Sequence, residues 1–449
     1  MPALVEMTLF AGDRWLDDGY NTWLDDDYNT WLDSNVVVRA SSQNYQGDQF
    51  WDQFIIDLTP PQFRLDHPSG GYCKLGFGDM TLTLDTFQAS GIWPPPEACP
   101  VRISYADTTN TITELFVGTM HRQKLSRDGI VYQLYERTFD KMLLSEAEDY
   151  NGDTVPLPKA FGVVTHQSPV RLPDTEAGNQ VYHHGYLSGT IGVDWHVYDD
   201  GVNVDTNVDN ATASTFEYTV ALVGEITVSG TGSQTTLIEI FDWAAGASNL
   251  NLSFDSTLAT TFSASYWANS QDVLVSFLDQ LAAYASHLFY IVNDTLYLVD
   301  MDSDNGTTSL TEFEFYPASI SFASPVSLVK TEWTDRVAVE ETIGKYIKDV
   351  PQEVTVSGAH PYGNEESADC FQSTISAVTA SLTRIHGYMT STRWETSIPL
   401  NATFPLPGMK ITALDESMGQ GVNIEIHVRD IEYDFENYEI KIAGEGTIS

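Results

Sequence analysis

"SQDVLVSFLDQLAAYASHLFYIVNDTLYLVDM", residues 270–301, changes its hydrophobic period halfway along. From Ser270 to Ser286 the apolar residues Val273, Leu274, Phe277, Leu278, Leu281, Ala282 and Ala285 recur at helical spacing, which predicts an amphipathic helix with one narrow buried face. Directly behind it, "LFYIVNDTLYLVDM" reads as two β runs around Asn293-Asp294, a pair suited to a tight hairpin turn. The stretch therefore predicts a helix packed on a hairpin, an α+β unit.

Toward the C-terminus, strands are expected over about 326–357, followed by Phe371, Ile375, Val378, Leu382, Ile385 and Met389. Their alternating spacing predicts a helix that presents a single seam to a neighbouring helix or sheet. The chain closes with "VNIEIHVRDIEYDFENYEIKIAGEG", two β runs flanking Glu436-Asn437. Toward the N-terminus, "VYDDGVNV" places Asp200-Gly201 between strand-like runs, another two-residue turn. "NGDTVPLPKAFGVVTHQSPVRLPD" (151–174) reads as an extended connector, and "GIWPPPEACP" (91–100) as a rigid loop between strands. Residues 36–140 consist of short β runs such as "FIIDLT", "MTLTLDTF", "TELFVGTM" and "IVYQLYERTF", broken by turn signals at even spacing, as in a small barrel or sandwich.

Strands and helices cluster in blocks and do not alternate, so the expected fold class is α+β and β-rich, with several domains, barrel-like β domains and a helix-plus-hairpin domain. The expected boundaries are 1–35 for an N-terminal arm, 36–150 for a first barrel-like domain and 151–214 for an extended connector and hairpin. They continue with 215–325 for the α+β domain and 326–449 for a second barrel-like domain with an inserted helix.

The charge balance is the compositional outlier. The 449 residues include 63 Asp and Glu against 21 Lys and Arg, a formal net charge of −42. Such a surface repels phosphate backbones and anionic lipid, which argues against tight nucleic-acid or membrane-surface binding. The three cysteines, Cys73, Cys99 and Cys370, are too few and too far apart for a disulfide framework or a metal-ligand motif, and suit synthesis in a reducing cytoplasm. Neither a signal peptide nor an apolar run of membrane-spanning length is expected, so no stable membrane insertion is expected either.

His183, His184 and His196 with Asp199 and Asp200 form a histidine-acid cluster, but their spacing fits no zinc pattern, and surface and turn histidines are the expected reading. "SGTGSQTT" (229–236) imitates a phosphate loop while lacking both the third glycine of the dinucleotide fingerprint and a Gly-Lys-Ser/Thr, and reads better as a strand-to-helix loop. No nucleophile elbow, zincin motif or local Cys-His pairing occurs, so no catalytic residues, no cofactor and no metal are expected.

One segment carries a different signal. "RWLDDGYNTWLDDDYNTWLDS" (14–34) repeats an eight-residue unit in which Trp15, Trp23 and Trp31 recur with Leu16, Leu24 and Leu32, and Tyr20 and Tyr28 sit in matching places. An even period puts every Trp on one face of an extended chain, and the aspartates between them supply turns. Serial exposed aromatics favour an interface, so these eight residues are the candidate contact with a neighbouring subunit; a segment folded on its own barrel is the alternative. The aspartates Asp17, Asp18, Asp25, Asp26, Asp27 and Asp33 are expected to be solvated turns, since their order is not that of a calcium loop.

The order of these runs resembles a known family. A β domain with "LFVGTM" and "DGIVYQLYER", then "PKAFGVVTHQSPVRL", "VYDDGVNV", the helix leading into "HLFYIVNDTLYLVDM", and last "LPGMKI" with "VRDIEYDFENYEIKIAGEG" resembles the tail hub proteins of long-tailed bacteriophages, which are related to the trimeric baseplate hub of contractile tails. The resemblance covers about residues 36–449 and implies a structural protein of the virion tail tip, made in the host cytoplasm. It implies a ring of three copies in which two barrel-like domains per subunit imitate sixfold symmetry. The implied partners are a distal tail or tail tube protein and the tip or fibre proteins, and viral DNA would pass without specific binding. The eight-residue repeat departs from that family pattern. A distal-tail or adhesion component that binds a host glycan or receptor is the alternative, with a polysaccharide-degrading enzyme behind it.

Overall fold

The computed structural model describes residues 3–9, 36–42, 45–46, 50–59, 62–76, 78–88, 95–106, 112–136, 147–150, 153–172, 180–220, 224–247, 252–268, 273–292, 294–303, 307–310, 319–322, 326–341, 344–358, 363–399, 406–415, 422–434 and 439–448. Within it the change of period is real. The helix Leu274–Ala285 buries Leu274, Phe277, Leu278, Leu281, Ala282 and Ala285, the face expected from the spacing. It stops at Ser286, which takes a left-handed φ of 55° while its N–H reaches back to the Ala282 and Ala283 carbonyls. Strands His287–Val292 and Thr295–Asp300 then pair antiparallel, with Val292 opposite Thr295, which leaves two residues for the turn.

Nine strands drawn from residues 3–136 form a nearly closed, barrel-like sheet. Strand Ala3–Leu9 lies inside it, antiparallel to Val36–Ser41 on one side and to Ala98–Ala106 on the other. The residues ahead of the repeat are thus part of the first β unit. Its interior holds Val5, Met7, Val38, Ile103, Phe116, Met120, Ile130 and Tyr132, all buried.

A second, eleven-stranded sheet runs across the chain's domains. Its C-terminal part contains Thr392–Pro399, Lys410–Asp415, Val422–Asp434 and Glu439–Ile448. The hairpin of strands Gln62–Leu65 and Gly71–Gly76 is inserted between this part and the 287–300 hairpin. Phe63 pairs with Ile431 on one edge, and Leu288 and Phe289 pair in parallel with Gly71 and Tyr72 on the other. Phe63 also lies edge-on to Tyr290 and Tyr433, at centroid distances of 5.9 and 6.4 Å. Edge-to-face pairs of this kind stabilise a core by about 0.5–1.5 kcal/mol each beyond the area they bury.

The stretch read as an extended connector is folded. Strands Lys159–Gln167, His196–Asp199, Val202–Asn203, Ile226–Thr231 and Ser265–Ala268 form one sheet, and Val170–Arg171, Gln180–His183, Val208–Asp209 and Thr215–Tyr218 form another. Between them lies a separate core that includes Trp195, Val197, Phe216, Tyr218 and Val228. Pro158 and Pro169 flank the strand Lys159–Gln167, where their missing N–H removes no ladder bond, so they mark strand ends and not a connector. The Asp200-Gly201 turn is present, with both residues at positive φ, 51° and 76°.

Strands Val326–Glu341 and Gly344–Ser357 build a long hairpin that, with Asn364–Ser367, makes a three-stranded sheet of its own and no part of a second barrel. The seam helix Ile375–Met389 packs across its base, burying Val378, Leu382, Ile385 and Met389 as expected. Thr374 caps its first turn through the Ala377 N–H, at 3.4 Å. The turn at Glu436-Asn437 lies outside the described residues.

Candidate assembly interface

The eight residues expected to meet a neighbour, Trp15, Leu16, Tyr20, Trp23, Leu24, Tyr28, Trp31 and Leu32, lie outside the described residues. Their frame is described. Leu9 is paired directly with Val36, so the chain leaves the first sheet and re-enters it on the same rung. Three rungs inside that point, Glu6 and Arg39 face each other across the strands in an ion pair of 3.2 Å. The repeat is therefore an insertion between paired strands, tied at both ends.

The histidine-acid cluster resolves into structural hydrogen bonds. His184 is buried and stacked on Trp195 at 4.5 Å, its Nε2 donating to the Thr212 carbonyl and its Nδ1 accepting from the Leu187 N–H, both at 3.2 Å. Burial lowers its pKa from the ordinary histidine value, which keeps the ring neutral. His196 bonds Asp205 at 2.7 Å. Burial pushes the Asp205 carboxyl upward, but bonds from His196, the Val197 N–H and Asn203 outweigh it and hold the carboxyl below its ordinary range. Asp199 is buried and takes bonds from Tyr218 and the Gly224 N–H, at 3.0 and 2.8 Å. These side chains fill a core and close turns; among the described residues no group of three or more His, Cys, Asp or Glu is placed to hold a metal ion.

"SGTGSQTT" is a strand-to-helix loop, as expected, and its chemistry excludes a phosphate site. Thr236 and Glu239 form a reciprocal capping box on the helix Leu237–Ala247: the Glu239 N–H donates to Thr236 Oγ1 at 3.2 Å, and Glu239 Oε2 accepts from the Thr235 and Thr236 N–H groups at 2.7 and 3.0 Å. The helix's own carboxylate already occupies the donors that a phosphate would need. Those bonds, the Thr235 N–H first, hold Glu239 below its ordinary pKa.

A further set of polar contacts, with almost no signal in the sequence, ties the hairpin Gln62–Gly76, the seam helix and the C-terminal strands to the 274–301 unit. The turn after Leu65 docks on the helix Leu274–Ala285: Asp279 Oδ1 accepts the Tyr72 N–H at 2.6 Å and Ser69 Oγ donates to the Ala283 carbonyl at 3.0 Å. Burial raises the Asp279 pKa, partly offset by the Tyr72 N–H. Gly70 and Gly71, at φ of 127° and 116°, have no room for a side chain, since a Cβ would land on the His287 carbonyl oxygen in one case and on Asp279 Oδ1 in the other.

A few ångströms along, Arg384 from the seam helix reaches Asp300 at 2.7 Å, Asp302 at 2.9 Å and the Ala285 carbonyl at 3.2 Å. Asp300 also accepts from Thr260 Oγ1 and the Asp302 N–H. Burial opposes its ionisation, yet these donors, with His287 and Arg384, leave its pKa below the ordinary value. His287 is neutral, Nδ1 donating to Ala285 at 2.9 Å and Nε2 accepting from the Thr260 N–H at 3.1 Å, and burial lowers its pKa despite the nearby Asp300. Arg429, at a bulge in the strand Val422–Asp434, donates to Glu445 at 2.5 Å and to the Met301 carbonyl at 2.7 Å. The one available signal was the rarity of basic residues, which makes each buried arginine informative.

Among the described residues no helix is long and apolar enough to cross a membrane. No protein-family model matches the chain, and no curated protein matches it. Among solved structures it is similar to the 43 kDa tail protein of prophage MuSo2 from Shewanella oneidensis, with 9% identity, 90% of this chain and 94% of that chain covered, and a TM-score of 0.42. It is also similar to prophage tail protein gp18 from Listeria monocytogenes EGD-e, with 9% identity, coverage of 98% and 94%, and a TM-score of 0.42. A chain of the virion of a native gene transfer agent particle aligns at 9% identity, coverage of 70% and 88%, and a TM-score of 0.46.

Proposed function

We propose that this chain is a structural hub protein of a bacteriophage tail tip, three copies of which form a ring between the tail tube or distal tail protein and the tip or fibres. The observation that carries the reading is a pair of large β sheets, the nine-stranded one from residues 3–136 and the eleven-stranded one, linked by the hairpin Gln62–Gly76, which leaves the first between its strands Ile55–Leu58 and Asp79–Leu82 and pairs inside the second. Such a chain can offer two β platforms to a tube while behaving as one mechanical unit. The resemblance of the ordered sequence runs adds to it, since those runs fall on the strands and turns of this frame. An acidic bore lets viral DNA slide past, because like charges suppress local contacts. No catalytic role is part of the proposal.

In this reading the Trp-Tyr repeat is a docking segment for a neighbouring subunit or tail protein. Its aromatic series also favours a second reading, an adhesion component that binds a host glycan or receptor. Deleting residues 13–33 from the phage separates the two. Loss of tail assembly, with the tagged full-length protein labelled at the tail tip by electron microscopy, is the expected result. Complete particles that fail to bind host cells would favour adhesion.

A further inference from the structure

The small two-sheet unit around Trp195 and Phe216 meets the long hairpin Val326–Ser357 at a turn and at a bulge. The Asp200-Gly201 turn lies close against the hairpin: a Cβ at Gly201 would stand 3.1 Å from Ala338 Cβ and 3.3 Å from Ile347 Cδ1, two residues that face each other on one rung. Two rungs toward the base, Arg336 stands opposite Asp349, bonds it at 2.9 Å and donates to the His166 carbonyl at 2.7 Å. Arg336 and Ala338 are two apart along their strand, so both contacts use one face of the hairpin.

His166 is an uncommon residue for the place it holds. It sits where the register of the strand Lys159–Gln167 slips, between Val164 and Gln167, at a left-handed φ of 47° that a non-glycine residue keeps only under constraint. Its N–H donates to Ser229 Oγ at 2.8 Å, its ring lies edge-on to Tyr198 at 4.5 Å, and Nδ1 is 3.3 Å from Thr227 Oγ1. From the hairpin, Arg336 and Asp335 act on the ring, and Asp349 is bound to Arg336. From the small unit, Thr227 and Ser229 bring no charge, while Tyr198 stands between the ring and the bonded pair His196 and Asp205. Burial lowers the His166 pKa, Arg336 lowers it further, and Asp335 offsets part of this.

We propose that this contact is a proton-released latch: while the His166 ring is neutral, Arg336 pins the bulge to the hairpin, and a proton on the ring sets a second cation beside the guanidinium and frees the hairpin from the small unit. Linkage gives the sign. The latched ring takes up a proton less readily than a released one, whose pKa returns toward about 6.5, so lowering the pH through that range favours release.

Hydrogen exchange of the full chain at about pH 7.5 and about pH 5.5, corrected for the intrinsic rate at each pH, tests it. In the wild type, protection over residues 336–350 is expected to fall by about threefold or more on acidification. In His166→Asn it is expected to stay level, because asparagine tolerates the left-handed backbone and does not titrate in this range. Arg336→Gln, which keeps the ring and removes the guanidinium, is expected to loosen the hairpin at both pH values and to lose the difference between them. Unfolding midpoints at the higher pH check that each variant is folded, and Arg336→Gln decides alone if His166→Asn is not. Wild-type protection that does not change, or an equal fall in either folded variant, overturns the latch.

Discussion

The hairpin Gln62–Gly76 is hydrogen-bonded to other parts of the chain along both edges, whereas the longer hairpin Val326–Ser357 leaves its strand Gly344–Ser357 with no second partner among the described residues. The short hairpin is committed inward: its turn is seated on helix and strand through Asp279, Ser69 and two glycines. The long one is held at its base by the seam helix and along its length by Arg336, which reaches the His166 carbonyl at 2.7 Å and Asp349 at 2.9 Å. Its open edge carries Pro351, Lys345 and Lys348, residues that discourage strand-on-strand pairing. The short hairpin makes the domains one body; the long one is an outgrowth of it.

Substitutions should separate the two. Gly70→Ala is expected to cost about 3–5 kcal/mol, combining a strained backbone with a clash against main chain that cannot move aside. Hydrogen exchange would show protection falling in strands 62–65, 71–76 and 287–292 together. A cost below about 1 kcal/mol would mean that the junction is loose. Arg384→Met is expected to cost about 2–3 kcal/mol, because Asp300 stays buried with only its remaining donors; a urea titration measures it.

Acid should act both on the junction and on the small two-sheet unit. Burial holds His67, His184 and His287 below their ordinary pKa, so the unfolded chain takes up protons near pH 6.5 before the native one does, and stability falls as pH drops through that range. Asp300 and Asp205, held low in the fold, contribute stability above the ordinary carboxylate pKa that is lost as pH falls through their folded values. Asp279, held high, works in the opposite direction within the carboxylate range. The urea midpoint is therefore expected to decline from pH 7 to pH 5 and again below pH 4; a flat profile would contradict the assignment of neutral buried histidines.

Smaller effects are expected away from the junction. Glu239→Ala removes half of a capping box and should cost about 1 kcal/mol, visible as a lower thermal midpoint. Arg336→Lys keeps the charge but loses the planar fork, and should cost less than about 1 kcal/mol while raising hydrogen exchange only in 326–357. A large effect there would make the long hairpin part of the body after all.

Local pattern was enough for the elements that bury one face on their own sequence neighbours. The helix at 274–285, its hairpin, the Asp200-Gly201 turn and the seam helix all follow from spacing and turn chemistry. What could not be read is pairing at long range. Nothing near Phe63 announces Ile431, and nothing near Tyr72 announces Phe289, since a strand's backbone bonds are blind to sequence. The prolines around 156–169 punctuate strand ends, and by local pattern alone such spacing is indistinguishable from a connector. Gly70 and Gly71 mark a turn in the sequence, but what requires glycine there is His287 and Asp279, residues more than two hundred positions away.

The most direct measurement is the mass of the purified chain in solution at physiological salt, by light scattering behind size exclusion. The account predicts three times the 49.8 kDa of one chain, alone or once a tail tube partner is added. A mass of 49.8 kDa that persists with every tail component present would contradict it.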